Sequence, residues 1–94
     1  MTEIGKFLMK EKVKIVVLSS GKPLISQIEE FDPPELGDPD WKLIKPYEIL
    51  EGQILQPWLQ SNTDQNIFII ISDTVLTVVE PTKELLKNYL EKIN

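Results

Sequence analysis

Acidic side chains are concentrated between residues 29 and 40, and such a group could bind a metal ion or carry out acid–base chemistry. The spacing does not match an EF-hand loop, because neither the turn glycine nor the terminal glutamate falls at its required position. Three prolines and a glycine within residues 31–40 also exclude a regular element there. We therefore expect a solvated acidic loop and no metal or catalytic site. The carboxylates belong to Glu29, Glu30, Asp32, Glu35, Asp38 and Asp40.

Nucleophilic catalysis finds little support, because the chain contains no histidine and no cysteine. Its serine hydroxyls therefore have no imidazole to activate them, and no Gly-rich phosphate-binding loop is present. Trp41 and Trp58 could act as base-stacking platforms. Each lies in an apolar stretch, however, so packing in the core or at an interface is the favoured interpretation. We expect a protein that is not an enzyme and that binds no cofactor.

The charge of the chain argues against nucleic acid as a partner. The formal net charge is −5, and all ten basic residues are lysines. Arginine supplies bidentate contacts to phosphates and bases, so its absence removes a usual means of recognising RNA or DNA. The negative charge also repels polyanions. RNA is therefore a disfavoured partner, although the sequence leaves it open.

The sequence also bears on localisation. It has no run of about 18 apolar residues and no charged-then-apolar signal segment at its start, so we expect no membrane contact. The absence of cysteine gives no reason to propose an oxidising compartment. We expect the protein in the cytoplasm.

Runs of β-branched residues predict a protein made mainly of strands. The first run, residues 13–18, is apolar on both faces, which implies burial on one side and contact with another layer or subunit on the other. Gly21 can take positive φ and provides a turn, after which residues 24–31 resume as a strand. A second strand pair is predicted at residues 67–71 and 75–79, joined by the turn Ser72–Thr74.

Between these pairs, residues 41–50 predict a third strand, in which Pro46 must lie at an edge, at a bulge or at the strand end. Residues 53–59 are a further candidate strand, with Trp58 as its anchor. The tail predicts a helix over residues 82–93, with Thr82 as its N-cap. We expect Leu86 and Leu90 to face inward from this helix.

These elements predict a mainly β fold: a small five-stranded, strongly bent and partly open barrel with a C-terminal α-helix. A chain of 94 residues allows one domain. Within this single domain, 1–94, we expect an N-terminal arm at residues 1–12, the barrel at residues 13–79 and the helix at residues 82–93.

Two short motifs resemble those of the Sm-like proteins. The first extends from the turn glycine Gly21 to Asp32, with apolar strand positions around a bend, and the second is Ile70-Ile71-Ser72-Asp73-Thr74-Val75. The ending IFIIISDTVLTVVEPTKELLKNYL is similar to that of small uncharacterised proteins of cyanophages and marine metagenomes. For a phage-encoded chain, the resemblance implies the host cytoplasm.

The resemblance implies two alternative functions. One is RNA binding by an altered Sm-type site at Asp32, Ser72, Asp73 and Thr74. Ile71-Ser72 stands where RNA-binding Sm-like proteins carry an Arg-Gly or Lys-containing step, and an apolar side chain can neither stack as a guanidinium does nor neutralise phosphate. Asp32 is better explained as a turn cap than as an RNA contact.

The other function is a non-catalytic interaction or assembly module. In Sm-like folds the last two strands of adjacent subunits pair edge to edge and close a ring. Since both strands of the second pair are apolar on both faces, we expect a homo-oligomer, either a ring or a dimer, built through these edge strands. The expected interface residues are Ile67, Ile69, Ile71, Val75, Leu76 and Val78.

Overall fold

The computed structural model of the protein describes residues 12–30 and 41–94, which form six strands and one C-terminal helix. The predicted arm at residues 1–11 and the acidic loop at residues 31–40 lie outside the described residues. The strands are β1 Val13–Leu18, β2 Pro23–Glu30, β3 Trp41–Ile49, β4 Leu55–Pro57, β5 Ile67–Ile70 and β6 Val75–Val79, and the helix is α1 Lys83–Ile93. Two short 3₁₀ turns occupy Glu51–Gln53 and Ser72–Thr74.

The predicted β1–β2 hairpin is confirmed. The two strands pair in antiparallel fashion, with Ile15 opposite Ile25. Gly21 closes the turn with φ of 94°, a conformation that a side chain disfavours, and its N–H donates to the Leu18 carbonyl at 2.7 Å.

All the strands pair in antiparallel fashion within one sheet, in the order β4-β3-β2-β1-β6. β5 also pairs with β3, so the long strand β3 contacts β5 along its first half and β4 along its second half. The expected number of five strands is therefore corrected to six, because the candidate strand at residues 53–59 is formed as the short β4. Within the described residues the sheet is not closed.

The second strand pair is formed differently from the prediction. The strands β5 and β6 are both present, and the turn Ser72–Thr74 joins them, but they do not pair with each other. β5 pairs with β3, whereas β6 pairs with β1. Because only four residues, 71–74, connect strands from different regions of the sheet, the sheet must bend strongly between them.

Pro46 lies at a β-bulge, one of its three expected positions. Ile25 pairs with Tyr47 while Gln27 pairs with Ile44, so β3 has one residue more than β2 across this interval. The bulge falls where β3 changes its partner from β5 to β4. The missing N–H of Pro46 is therefore compatible with the sheet.

Apolar residues fill both sides of the sheet and form two clusters. One contains Val16, Leu24 and Leu43, with Phe68 and Trp58 packed against it. The other joins Val13, Ile25 and Leu55 to Leu85 and Tyr89 of helix α1. The helix therefore supplies the second layer that the two-sided apolarity of β1 requires.

The helix begins as predicted, and the side that it packs against the core is wider than expected. The Thr82 hydroxyl accepts a hydrogen bond from the Leu85 N–H at 3.2 Å, so Thr82 is the N-cap. Leu85 and Tyr89 are buried, while Leu86 and Leu90 are only half-buried. The prediction that Leu86 and Leu90 face inward is confirmed in part, because both pack against the core cluster, while the adjacent pair at the same spacing lies deeper in it.

Candidate interaction surface

Strand β5 has one face toward the core and one face toward solvent. Phe68 and Ile70 pack against the cluster of Val16, Leu24 and Leu43. The alternating residues Ile67 and Ile69 point the other way and are 45% and 54% exposed. Ile71, directly after the strand, is also exposed. Three isoleucines therefore place apolar surface in water along one edge strand.

Strand β6 adds further exposed apolar surface because it contains a bulge. Val17 pairs with Thr77 and Leu18 pairs with Val75, so Leu76 is an additional residue between two pairs. Its side chain is 67% exposed. The extra residue interrupts the alternation, and Val75 and Val78 therefore both pack toward the core. Val79, opposite Ile15, is exposed.

Both strands lie at sheet edges. In the described part of the chain, β5 pairs only with β3 and β6 pairs only with β1. Between residues 67 and 79 the only charged residue is Asp73, and there is no proline. Edge strands are normally protected by charged side chains or proline. Strand β6 has a bulge, but neither β5 nor β6 contains a charged residue or a proline.

The structure separates the six expected interface residues into two groups. Ile67, Ile69, Ile71 and Leu76 are exposed, whereas Val75 and Val78 are half-buried against the core. Val79 is exposed but was not among the expected residues. No sequence signal marks it, because its orientation depends on the bulge at Leu76. We call the five exposed side chains the apolar edge residues: Ile67, Ile69, Ile71, Leu76 and Val79.

Three of the four residues expected to contact RNA, Ser72, Asp73 and Thr74, lie together on the turn between β5 and β6. Asp32 lies outside the described residues. Asp73 is exposed on the turn between β5 and β6. The Thr74 hydroxyl donates to the Ile71 carbonyl at 2.6 Å, and the Thr74 carbonyl accepts from the Ser19 N–H at 2.8 Å. Thr74 is thus engaged in holding this turn against the β1–β2 turn, and RNA binding here stays a prediction.

The two tryptophans lie in different surroundings. Trp58 packs on Phe68 with ring centroids 5.1 Å apart and lies half-buried against the cluster of Val16, Leu24 and Leu43. Trp41 is half-buried and pairs with Ile70. Across residues 12–30 and 41–94, no group of three or more acidic residues is arranged to hold a metal ion. Over the same part of the chain, no helix has the length and apolarity needed to cross a membrane.

Taken together, the fold and the surface define a small, mainly antiparallel β protein with one packed helix and exposed apolar residues on two edge strands. The model of DUF6561, a family of unknown function, matches residues 11–94. The chain belongs to this family. No curated protein matches the chain. The resemblance to Sm-like proteins is a separate matter and stays a prediction.

Proposed function

We propose that the protein is a non-catalytic, homo-oligomeric interaction module whose subunits associate through β5 and β6. The observation that carries the proposal is the exposure of the five apolar edge residues, which lie on or directly after two strands that each pair with one other strand in the described part of the chain. Exposed apolar side chains beside an unpaired strand edge favour association.

The arrangement of the two edges indicates how the subunits would meet. β5 and β6 are different strands, so pairing β5 of one subunit with β6 of the next joins two unlike surfaces. Such a heterologous contact repeats and closes into a ring when the rotation between subunits allows it. Pairing would satisfy the edge N–H and carbonyl groups and would bury Ile69 beside Leu76 or Val79 of the neighbour. A ring or a dimer of this kind fits the edge pairing implied by the Sm-like resemblance.

A charge at the edge provides the test. Lysine at an outward position of an edge strand opposes strand pairing, so Ile69→Lys should convert the oligomer to a monomer in sedimentation velocity. Ile54→Lys is the matched control, because Ile54 is 62% exposed but precedes β4 and lies on neither β5 nor β6. The control should sediment as the wild type does. A wild-type protein that sediments as a monomer at micromolar concentration would refute the proposal.

A further inference from the structure

A pocket of about 240 Å³ lies beside the bulge of β3, away from the turn between β5 and β6. Four different parts of the fold form it: the bulge at Lys45 and Pro46, the end of β4 with the following Trp58, the segment entering β5 at Asn66 and Phe68, and the last turn of helix α1 at Lys92. Residues far apart in the sequence therefore meet around one small space. Its volume is below the roughly 300 Å³ at which pockets for drug-sized ligands begin, so it suits a ligand with a single ring.

The pocket carries positive charge in a negatively charged protein. Lys45 and Lys92 line it, and no aspartate or glutamate does among the described residues. The ion pairs found in the described part of the chain involve Lys14, Lys22 and Lys42, so neither pocket lysine is neutralised by one of them. With a net charge of −5 for the whole chain, two lysines without a carboxylate partner form a local site of opposite sign. Such a site favours an anion.

Aromatic side chains supply the other walls. Tyr47, Trp58 and Phe68 line the pocket together with the two lysines. Trp58 and Phe68 pack on each other, and the position of Trp58 is fixed further by its backbone N–H, which donates to the Pro46 carbonyl at 3.0 Å. A planar ring can stack on such walls, while amines bind its charged substituent.

The backbone at Lys45 is held in an uncommon conformation. Its φ of 53° lies in the left-handed region, which a non-glycine residue rarely adopts. Its N–H donates to the Asn66 carbonyl at 2.6 Å, and its carbonyl accepts from the Tyr89 hydroxyl at 2.8 Å. Both peptide groups are thus fixed by the fold while the side chain stays exposed at the pocket. Strained backbone held in this way is concentrated at ligand-binding sites.

We infer that the pocket between Lys45, Lys92 and Trp58 binds a small ligand with a single aromatic ring that carries a phosphate or carboxylate group. None of the five apolar edge residues lines this pocket, although Phe68 of β5 does, so the site does not require the proposed self-association. An Ile69→Lys variant should therefore bind the same ligand.

Isothermal titration calorimetry of the full chain with phenyl phosphate tests the inference. We expect saturable binding, and roughly tenfold weaker binding of both benzyl alcohol, which has the ring without the charge, and inorganic phosphate, which has the charge without the ring. No saturable heat up to about 5 mM phenyl phosphate, or equal binding of either comparison compound, would overturn the inference.

Paired variants locate the site. Lys45→Asn removes the amine and keeps a residue that tolerates the left-handed conformation, and Lys92→Gln removes the second amine. The double variant should lose at least roughly tenfold in affinity. Lys83→Gln/Lys87→Gln is the matched control, because it changes the net charge equally at lysines of the same helix that do not line this pocket. Equal loss in the control would show a general charge effect and overturn the assignment.

Discussion

Tyr89 connects the helix to the sheet at the bulge of β3. Its side chain is fully buried, and its hydroxyl donates to the Lys45 carbonyl at 2.8 Å and accepts from the Gln27 N–H at 3.2 Å. The ring meets Tyr47 edge to face with centroids 5.7 Å apart. One side chain therefore satisfies backbone groups of both β2 and β3 at a point where the regular strand pairing is interrupted.

Removal of this hydroxyl should destabilise the protein. Tyr89→Phe leaves the buried Gln27 N–H without its acceptor, which costs about 1–3 kcal/mol, and denaturant titration measures the loss. Tyr47→Phe is the control, since the structure shows no hydrogen bond from the Tyr47 hydroxyl to the described residues, and we expect a change within about 0.5 kcal/mol. Equal effects of the two substitutions would contradict the role given to Tyr89.

The same hydroxyl should make stability depend on pH in the alkaline range. Burial raises the pKa of Tyr89, although the hydrogen bond from the Gln27 N–H opposes this shift. Above pH of about 10 the unfolded tyrosine loses its proton while the folded one keeps it, so the free energy of unfolding falls by up to about 1.4 kcal/mol per pH unit. The difference in stability between the wild type and Tyr89→Phe should be constant below this pH and should narrow above it. A constant difference through pH of about 11.5 would argue against the shift.

At the scale of the element, the orientation of helix α1 distinguishes two neighbouring leucines. Leu85 is 4% exposed in the core, and Leu86 is half-buried at its margin. Leu85→Ala should cost about 2–5 kcal/mol because a buried side chain leaves a cavity, whereas Leu86→Ala should cost about 1 kcal/mol. Midpoints of denaturant unfolding give both values. A larger loss of stability for Leu86→Ala than for Leu85→Ala would contradict the deeper burial of Leu85.

The sequence predicted the strands better than their partners. The β-branched runs place β1, β5 and β6 nearly at their observed bounds, because strand formation depends on local residue types. The partner of β5 was predicted incorrectly, since strands adjacent in the chain were expected to pair. The true partner, β3, is set by packing of Phe68 and Ile70 against the core, which no local pattern records.

The candidate surfaces were predictable to different degrees. The exposed isoleucines of β5 follow from simple alternation, so the sequence indicated them correctly. The exposure of Val79 depends on the bulge at Leu76, and the pocket at Lys45 depends on contact between a bulge and the far end of helix α1. Pro46 within a strand was the one local sign of that bulge. Such long-range arrangements cannot be read from residue spacing.

At the scale of the whole molecule, helix α1 covers part of the apolar surface of the bent sheet and leaves another part exposed. Helix α1 covers Val13, Ile25 and Leu55 on its side of the sheet. Ile67 and Ile69 belong to neither core cluster and stay exposed. The helix therefore covers the second apolar face of β1, whereas the second apolar face of β5 stays exposed.

The charge of the whole molecule leads to a prediction about RNA. Tight binding requires several phosphates to be neutralised, but the net charge is −5 and the charged residue of the β5–β6 turn is Asp73. Filter binding with oligo-U and oligo-A at about 50 mM salt should therefore show no retention at micromolar protein. If RNA bound only through one phosphate held by Lys45 and Lys92, its affinity would fall with salt no more steeply than the release of about two counterions predicts. Micromolar retention with a steeper dependence of binding on salt would favour the altered Sm-type RNA-binding function over the assembly module. Such binding would require a basic surface that neither the pocket nor the β5–β6 turn supplies.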